Sequence, residues 1–186
     1  MLPNCKTSLH VGLVEPLRSL IASRHGPEEA ERLADDIQQV QALRNQIISS
    51  PAINLESVQR YRAYSKLVSS LSTRLSWSEM QIQPKFRWYD SLTSKRYAEG
   101  CDFLMDSVAS LCNAACLCAK MASTAADRHN NDGFKDACAY FQRAHQLYTE
   151  AKDGPAKNLR GRFGTEDLTN DGLTALAMVS EFFLVR

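Results

Sequence analysis

Three of the six cysteines lie close together in the chain, and thiolates at short spacing can bind a metal ion. Cys112 and Cys116 are four residues apart and would share one face of a helix. Cys118, in contrast, is rotated by roughly 160° from Cys116 at about 100° per residue. The three thiols would therefore not converge on one ion, and we expect no metal site.

A thiol and an imidazole could also form a nucleophile and its base, as Cys138 and His145 would if they were adjacent. In a helix their separation is two turns, or about 10 Å, which is too far for hydrogen-bonded activation. We expect both side chains to pack in the core. The sequence contains no glycine-rich phosphate loop, nucleophile elbow or paired-carboxylate pattern. We therefore expect a protein that is not an enzyme and has no cofactor, although a pocket joining a cysteine to a histidine would revive an enzymatic interpretation.

The composition is that of a folded globular protein. The chain has 186 residues, of which 44% are hydrophobic and 23% are charged, so a disordered protein is excluded. Lysine and arginine number 22 against 21 aspartate and glutamate residues, so the net charge is only +1. No large positive charge attracts phosphate backbones, and we expect no nucleic acid partner. No low-complexity linker divides the chain, which predicts one domain over residues 1–186.

The cysteines and the N-terminus indicate a reducing compartment. No apolar run follows Pro3 to Lys6, so the sequence shows no secretory signal, and we expect a cytoplasmic protein with all six thiols free. Five of the thiols fall in helix-patterned segments and are expected to be buried, whereas Cys5 stands apart. Asp106, Asn113 and Lys120 interrupt the most apolar stretch, residues 103–122, which we interpret as a core helix rather than a membrane span.

Hydrophobic periodicity predicts a mostly helical fold. The predicted helices cover residues 13–23, 27–49, 54–75 with Asn54 as the cap, about 97–125, 131–150 and about 169–186. The fifth of these would bury one apolar face, formed by Phe134, Cys138, Phe141, His145 and Tyr148. Between Met80 and Tyr89 apolar and polar residues alternate, which predicts an extended segment that could form a small sheet with residues 9–11.

Three short motifs occur in a fixed order along the chain. Residues 86–90 read F-R-W-Y-D, residues 111–115 read L-C-N-A-A, and residues 132–135 read D-G-F-K ahead of Tyr140 and Phe141. Residues 178–183, M-V-S-E-F-F, follow as a fourth segment. In order and spacing these segments resemble the Bro-type domain of the ALIX and rhophilin family, in which F-x-W-x-D precedes L-F-N-x-A-A and then D/E-G-L-K. The resemblance covers about the first half of such a domain, so the domain is expected to be truncated at its C-terminal side.

The resemblance implies an all-α fold, a curved helical array with a tetratricopeptide-like core, which can include a small β-hairpin or short sheet near the N-terminal part. It also implies an adaptor of the endosomal sorting (ESCRT) pathway, cytoplasmic and endosome-associated. Its expected partner is the amphipathic C-terminal helix of an ESCRT-III filament subunit, with peripheral contact to the endosomal membrane. The alternative is a divergent or truncated rhophilin-like scaffold without ESCRT-III binding.

The family's partner-binding positions can be carried over residue by residue. Phe183 matches the central apolar contact, Arg186 a basic position just after it, and Lys135 and Asn131 match polar contacts on the neighbouring helix. Asn131 stands where the family has an acidic residue. Because two adjacent phenylalanines cannot face one side of a helix, we expect Phe182 to point inward and Phe183 to be exposed. Burial of Phe183 would favour the structural alternative.

Overall fold

The structure is a computed structural model that describes residues 3–49, 51–75, 83–93, 95–159 and 165–183. The described part is mostly helical. Its elements in chain order are the helices α1 (Val14–His25), α2 (Pro27–Arg32), α3 (Ala34–Ile48) and α4 (Leu55–Arg74), the strands β1 (Phe86–Tyr89) and β2 (Tyr97–Gly100), and the helices α5 (Phe103–Ala126), α6 (Asn131–Asp153) and α7 (Asn170–Phe182). Two short 3-10 helices, Pro155–Asn158 and Glu166–Leu168, lie between α6 and α7. The predicted all-α fold with a small hairpin is confirmed.

Side-chain caps fix where several helices begin. Asn54 accepts a hydrogen bond from the Ser57 amide ahead of α4, at 2.8 Å, as the sequence predicts. Asn130 caps α6 by accepting from the Gly133 amide at 2.7 Å. The single helix predicted over residues 27–49 is instead two helices, because the chain makes a turn at Leu33 between α2 and α3.

The central helix α5 packs between α4 and α6. Most of its residues are buried, and its middle consists largely of small side chains, which let the neighbouring helix axes approach closely. By length and composition α5 could cross a membrane, but 89% of its apolar window is buried inside the protein. The prediction of a core helix is confirmed.

The strands β1 and β2 form an antiparallel hairpin in which Phe86 pairs with Gly100 and Tyr89 with Tyr97. The predicted extended segment is confirmed at residues 86–89, which form β1, whereas residues 80–82 lie outside the described part. The prediction that α5 begins near Tyr97 is wrong, since residues 97–100 form β2 and Asp102 caps the helix. The N-terminal segment joins the other edge of β1 through a bridge between Ser8 and Trp88, slightly earlier than the predicted residues 9–11.

One fully buried polar cluster connects the helices α3, α4 and α5 with the strand β1. The Asp106 carboxylate on α5 accepts hydrogen bonds from Arg44 on α3 at 3.2 Å, Tyr64 on α4 at 2.5 Å and Trp88 on β1 at 2.6 Å. Burial and the adjacent carboxylate raise the pKa of Tyr64 well above its usual value, so Tyr64 stays protonated and donates. Arg44 also donates to the Leu9 carbonyl oxygen at 3.1 Å. The cluster thereby ties four segments to one carboxylate.

Candidate partner-binding surface

Three of the residues carried over from the family lie on two helices that pack against each other. Asn131 and Lys135 belong to α6, and Phe183 directly follows α7. Phe141 of α6 stacks on Phe183, whereas the later residue His145 contacts the earlier residue Ala177. The two helices are therefore antiparallel. The His145 Nδ1 atom lies 3.1 Å from the Ala177 carbonyl oxygen, so this ring nitrogen is used in packing α7 onto α6.

The buried face of α6 differs from the predicted one. The residues it buries are Gly133, Ala137, Phe141, Ala144, Leu147, Tyr148 and Ala151. Phe134 is instead 51% exposed, Cys138 is exposed and His145 is half-buried, so the prediction that all three pack in the core is wrong. The physical reason is that α6 carries more apolar side chains than one face can cover, and alanines allow the closest approach to α5.

Asn131 and Lys135 line one shallow depression on the outer face of α6. The depression has a volume of about 480 Å³ and is lined by Asn131, Phe134, Lys135, Cys138, Ala139 and Gln142. The Lys135 ammonium lies 3.7 Å from the Asp132 carboxylate, and both side chains are largely exposed. Such an exposed pair contributes little to stability, so Lys135 is free to change partner.

Phe183 is 40% exposed at the end of α7, so its predicted exposure is confirmed. Its ring stacks on Phe141 with a centroid distance of 5.0 Å and an interplanar angle of 13°. Phe182 does not point inward as predicted: it is 52% exposed and meets Phe183 edge to face at 6.2 Å. The error has a geometric reason: the buried positions of α7 are Leu173, Ala177 and Ser180, and Phe182, two residues after Ser180, is rotated by about 200° to the opposite side of the helix.

The structure thus brings two of the four carried-over residues into one depression and places a third on the same helix pair. Phe141, the residue under Phe183, follows Lys135 by six positions, or about 9 Å along α6. Arg186 lies outside the described residues. Two further exposed apolar residues of α7, Met178 and Val179, were not predicted. Their signal in the sequence was a run of apolar residues longer than one helix face can bury.

The exposed residues of α6 and α7 offer apolar contacts from their phenylalanine, methionine and valine side chains and polar contacts from Asn131 and Lys135. Along the part of the chain that the structure describes, no three metal-ligating side chains come together. The apolar members of the surface are Phe134, Met178, Val179, Phe182 and Phe183. We refer to these five residues together with Asn131 and Lys135 as the α6–α7 surface. Exposed apolar side chains on two helices that pack together make this surface a candidate for contact with another molecule.

Comparison with known proteins identifies a domain family. The model of the BRO1-like domain matches residues 2–180, nearly the whole chain. No curated protein matches the sequence.

Solved structures share the fold. A structure described as a complex of the ALIX BRO1 domain with CHMP4C superimposes with a TM-score of 0.81 and 19% identity, over 99% of this chain and 54% of that one. ALIX in complex with a viral late-domain peptide gives a TM-score of 0.79 and 20% identity, over 97% of this chain and 27% of that one. A Bro1 domain described in connection with endosomal targeting gives 0.74 and 18%, over 99% and 50% of the two chains. The chain thus spans about half the length of the first and third of these proteins and about a quarter of the second.

Proposed function

The chain belongs to the BRO1-like domain family, and from this we propose that it is an adaptor module of the ESCRT pathway that binds the amphipathic C-terminal helix of an ESCRT-III filament subunit. The observation that carries the proposal is the α6–α7 surface, which exposes phenylalanines from two antiparallel helices beside a polar rim. An amphipathic helix binds such a surface by laying its apolar side chains along it.

The structure described as a complex of ALIX BRO1 with CHMP4C supports this choice of partner, because CHMP4C is an ESCRT-III subunit. The residues that match the family's partner-binding positions support the choice of the α6–α7 surface. Phe183 would supply the central apolar contact, and Lys135 a charge at the rim. Asn131 would supply a weaker polar contact than an acidic residue, and Arg186 a basic group beyond α7. We also propose that the protein is cytoplasmic and endosome-associated, with peripheral membrane contact, and that residues 1–186 form a single domain.

A rhophilin-like scaffold without ESCRT-III binding is the second candidate. One observation favours it: the Phe183 ring already uses one face to stack on Phe141, so only the remainder of its surface is available to a partner. The replacement of the family's acidic residue by Asn131 points the same way. In this alternative the α6–α7 surface would contact another part of a larger scaffold.

The deciding experiment is a titration of a fluorescently labelled C-terminal helix of an ESCRT-III subunit with the wild-type chain and with Phe183→Asp. We expect saturable binding by the wild type and no measurable binding by the variant, because the new carboxylate would have to be desolvated when apolar side chains dock. Leu92→Asp is the matched control, since Leu92 is equally apolar and 64% exposed but lies in the turn after β1. We expect this control to bind as the wild type does.

Other outcomes are equally informative. Saturable binding that is unchanged by Phe183→Asp would reject the carried-over site. No binding of any ESCRT-III helix by the wild type would favour the rhophilin-like scaffold. Circular dichroism of each variant shows whether the helices are intact, and the lost ring stack is expected to lower the unfolding free energy by only about 1 kcal/mol.

A further inference from the structure

Two cysteines that are 111 positions apart in sequence meet at the junction of the N-terminal segment and α5. The Cys5 Sγ atom lies 3.2 Å from the Cys116 Sγ atom, and the Cys5 thiol donates to Cys116 while both are protonated. Cys116 is buried, and its thiol lies 3.1 Å from the Pro3 carbonyl oxygen. Cys5 is half-buried, so a small solute can approach it.

Hydrogen bonds on either side of Cys5 hold the N-terminal segment in this position. The Asn4 amide donates to the Ser91 carbonyl oxygen at 3.0 Å. The Lys6 amide donates to Asn113 Oδ1 at 2.6 Å, and Asn113 Nδ2 donates back to the Lys6 carbonyl oxygen at 2.8 Å. Because Asn113 lies three residues before Cys116 on α5, this reciprocal pair sets the register that places Cys5 against Cys116. The contact between the thiols therefore follows from the backbone positions.

We propose that Cys5 and Cys116 form a redox modification site, at which hydrogen peroxide or an organic hydroperoxide converts the two thiols into a disulfide. A disulfide has an S–S bond of about 2.05 Å, so the sulfur atoms need to approach by only about 1.1 Å from their present separation. The proposal does not depend on the binding function of the α6–α7 surface.

The two thiols differ in reactivity, which assigns their roles. The hydrogen bond with Cys116 and the nearby Lys120 ammonium lower the pKa of Cys5 to about 7, although burial opposes this. The hydrogen bond with Cys5 and burial both raise the pKa of Cys116. Burial also raises the pKa of Cys112 to about 12 and that of Cys118 to about 11. Since the thiolate is the nucleophile, Cys5 is the thiol that reacts first.

The chemistry balances in two steps. The Cys5 thiolate attacks one peroxide oxygen, an S–O bond forms, the O–O bond breaks, and the departing hydroxide takes up a proton to give water. Cys116 then attacks the Cys5 sulfenic acid sulfur, an S–S bond forms and the S–O bond breaks. The hydroxide that leaves combines with the Cys116 proton as the second water. Two thiols are oxidised and one hydroperoxide is reduced to two molecules of water, or to an alcohol and water.

The test is peptide mapping of the full chain after treatment with hydrogen peroxide and blocking of the remaining thiols with N-ethylmaleimide. Trypsin cuts after Lys6, Arg96 and Lys120, so the expected product joins peptide 1–6 to peptide 97–120. The second peptide also contains Cys101, Cys112 and Cys118, so tandem fragmentation must assign the linked sulfur to Cys116. We also expect the peroxide-treated protein to melt about 5–10 °C higher than the reduced one, with reversal by dithiothreitol.

Two isosteric variants complete the design. Cys116→Ser should stop at the Cys5 sulfenic acid, which dimedone traps, whereas Cys5→Ser should give neither the cross-link nor dimedone labelling at this site. Cys138→Ser is the control, because Cys138 is exposed on α6, and it should cross-link as the wild type does. The proposal is overturned if Cys5 of the wild type is recovered as free thiol or as a persistent sulfenic or sulfinic acid. It is also overturned if Cys5 is found linked to a cysteine other than Cys116.

Discussion

The buried cluster around Asp106 and the α6–α7 surface are built from opposite kinds of side chain. The cluster places a carboxylate, a guanidinium, a phenol and an indole away from water, and each contacts a partner of complementary chemistry. The α6–α7 surface places phenylalanine and methionine side chains in water, with Met178 63% exposed. The first arrangement is costly unless every group is paired, and the second is favourable only when something covers it.

If the α6–α7 surface binds a partner as proposed, stability and binding depend on different residues in this fold. Asp106 joins α3, α4, α5 and β1, so its loss should disturb the whole N-terminal part. Phe183 contacts Phe141 and Phe182 at the end of one helix pair, so its loss should leave the rest intact. Four substitutions test this division.

Asp106→Ala is expected to have the largest effect. It leaves Arg44 buried without its carboxylate, and removing one partner of a buried pair costs about 3–5 kcal/mol. Urea denaturation measures the change in the free energy of unfolding. Glu56→Ala is the control, because its pair with Arg60 is exposed on α4 and should contribute less than about 0.5 kcal/mol. Equal losses in the two variants would contradict the structural role given to Asp106.

Asp167→Asn should come next, with a loss that depends on pH. Burial opposes ionisation, but the Lys6 ammonium at 2.5 Å and the hydrogen bonds from Ser91 lower the pKa of Asp167 on balance. A lowered pKa in the folded state stabilises the fold above the unfolded value of about 3.9, and this contribution disappears as the pH falls through the folded-state pKa. We expect a deficit of about 3 kcal/mol at pH 7 in urea denaturation.

The deficit of Asp167→Asn should shrink as the pH falls below about 4, where the unfolded chain takes up the proton, and should vanish below the lower pKa of Asp167 in the folded protein. Denaturation of both proteins at pH 7, 5, 4 and 3 would show this convergence. A deficit that stays constant over that range would mean that the lost stability does not come from the ionised form of Asp167.

Phe183→Ala should separate binding from folding. If the α6–α7 surface binds a partner helix, truncation of its central ring should weaken binding by about 2 kcal/mol or more, as at an interface hot spot. The unfolding free energy should fall by about 1 kcal/mol, since the ring stack is lost but the site is already partly hydrated. A titration and a thermal melt of the same sample give both values. A larger loss of stability than of binding would assign Phe183 to the core.

Lys135→Ala should have the smallest effect. Lys135 is an exposed rim charge, so its removal should weaken partner binding by less than about 1 kcal/mol and mainly at low salt. Titrations at 50 mM and 500 mM NaCl measure this difference. Lys66→Ala on α4 is the control, because Lys66 is also exposed but lies on another helix. The same loss in the control would mean that the effect reflects net charge alone.

Features with a local signal were predicted well from the sequence. The Asn54 cap, the apolar character of α5 and the alternation leading into β1 each depend on residues within a few positions of one another. The helix predicted over residues 54–75, where periodicity and the Asn54 cap agree, matches α4. The spacing of four residues puts Asn131 and Lys135 on one face of α6, where both line the same depression.

Features that depend on distant partners were missed. The segment 97–100 is only four residues long, and what makes it a strand is its pairing with residues 86–89. The contact between Cys5 and Cys116 depends on the N-terminal segment lying along α5, for which Cys5 itself carries no signal. Asp106 was recognised only as a polar interruption of an apolar helix, because its partners come from three other elements.

The buried ion pair between Lys6 and Asp167 also has a consequence for the order of events during synthesis. The two residues are 161 positions apart, so at about 5–20 residues per second the ribosome delivers Asp167 roughly ten to thirty seconds after Lys6. Trp88 and Asn113 become available in the meantime, and the N-terminal segment can dock against them in stages. The residues around Lys6 are therefore made before their partners and are among the last to complete their contacts, and the Lys6 ammonium stays hydrated until the segment ahead of α7 arrives.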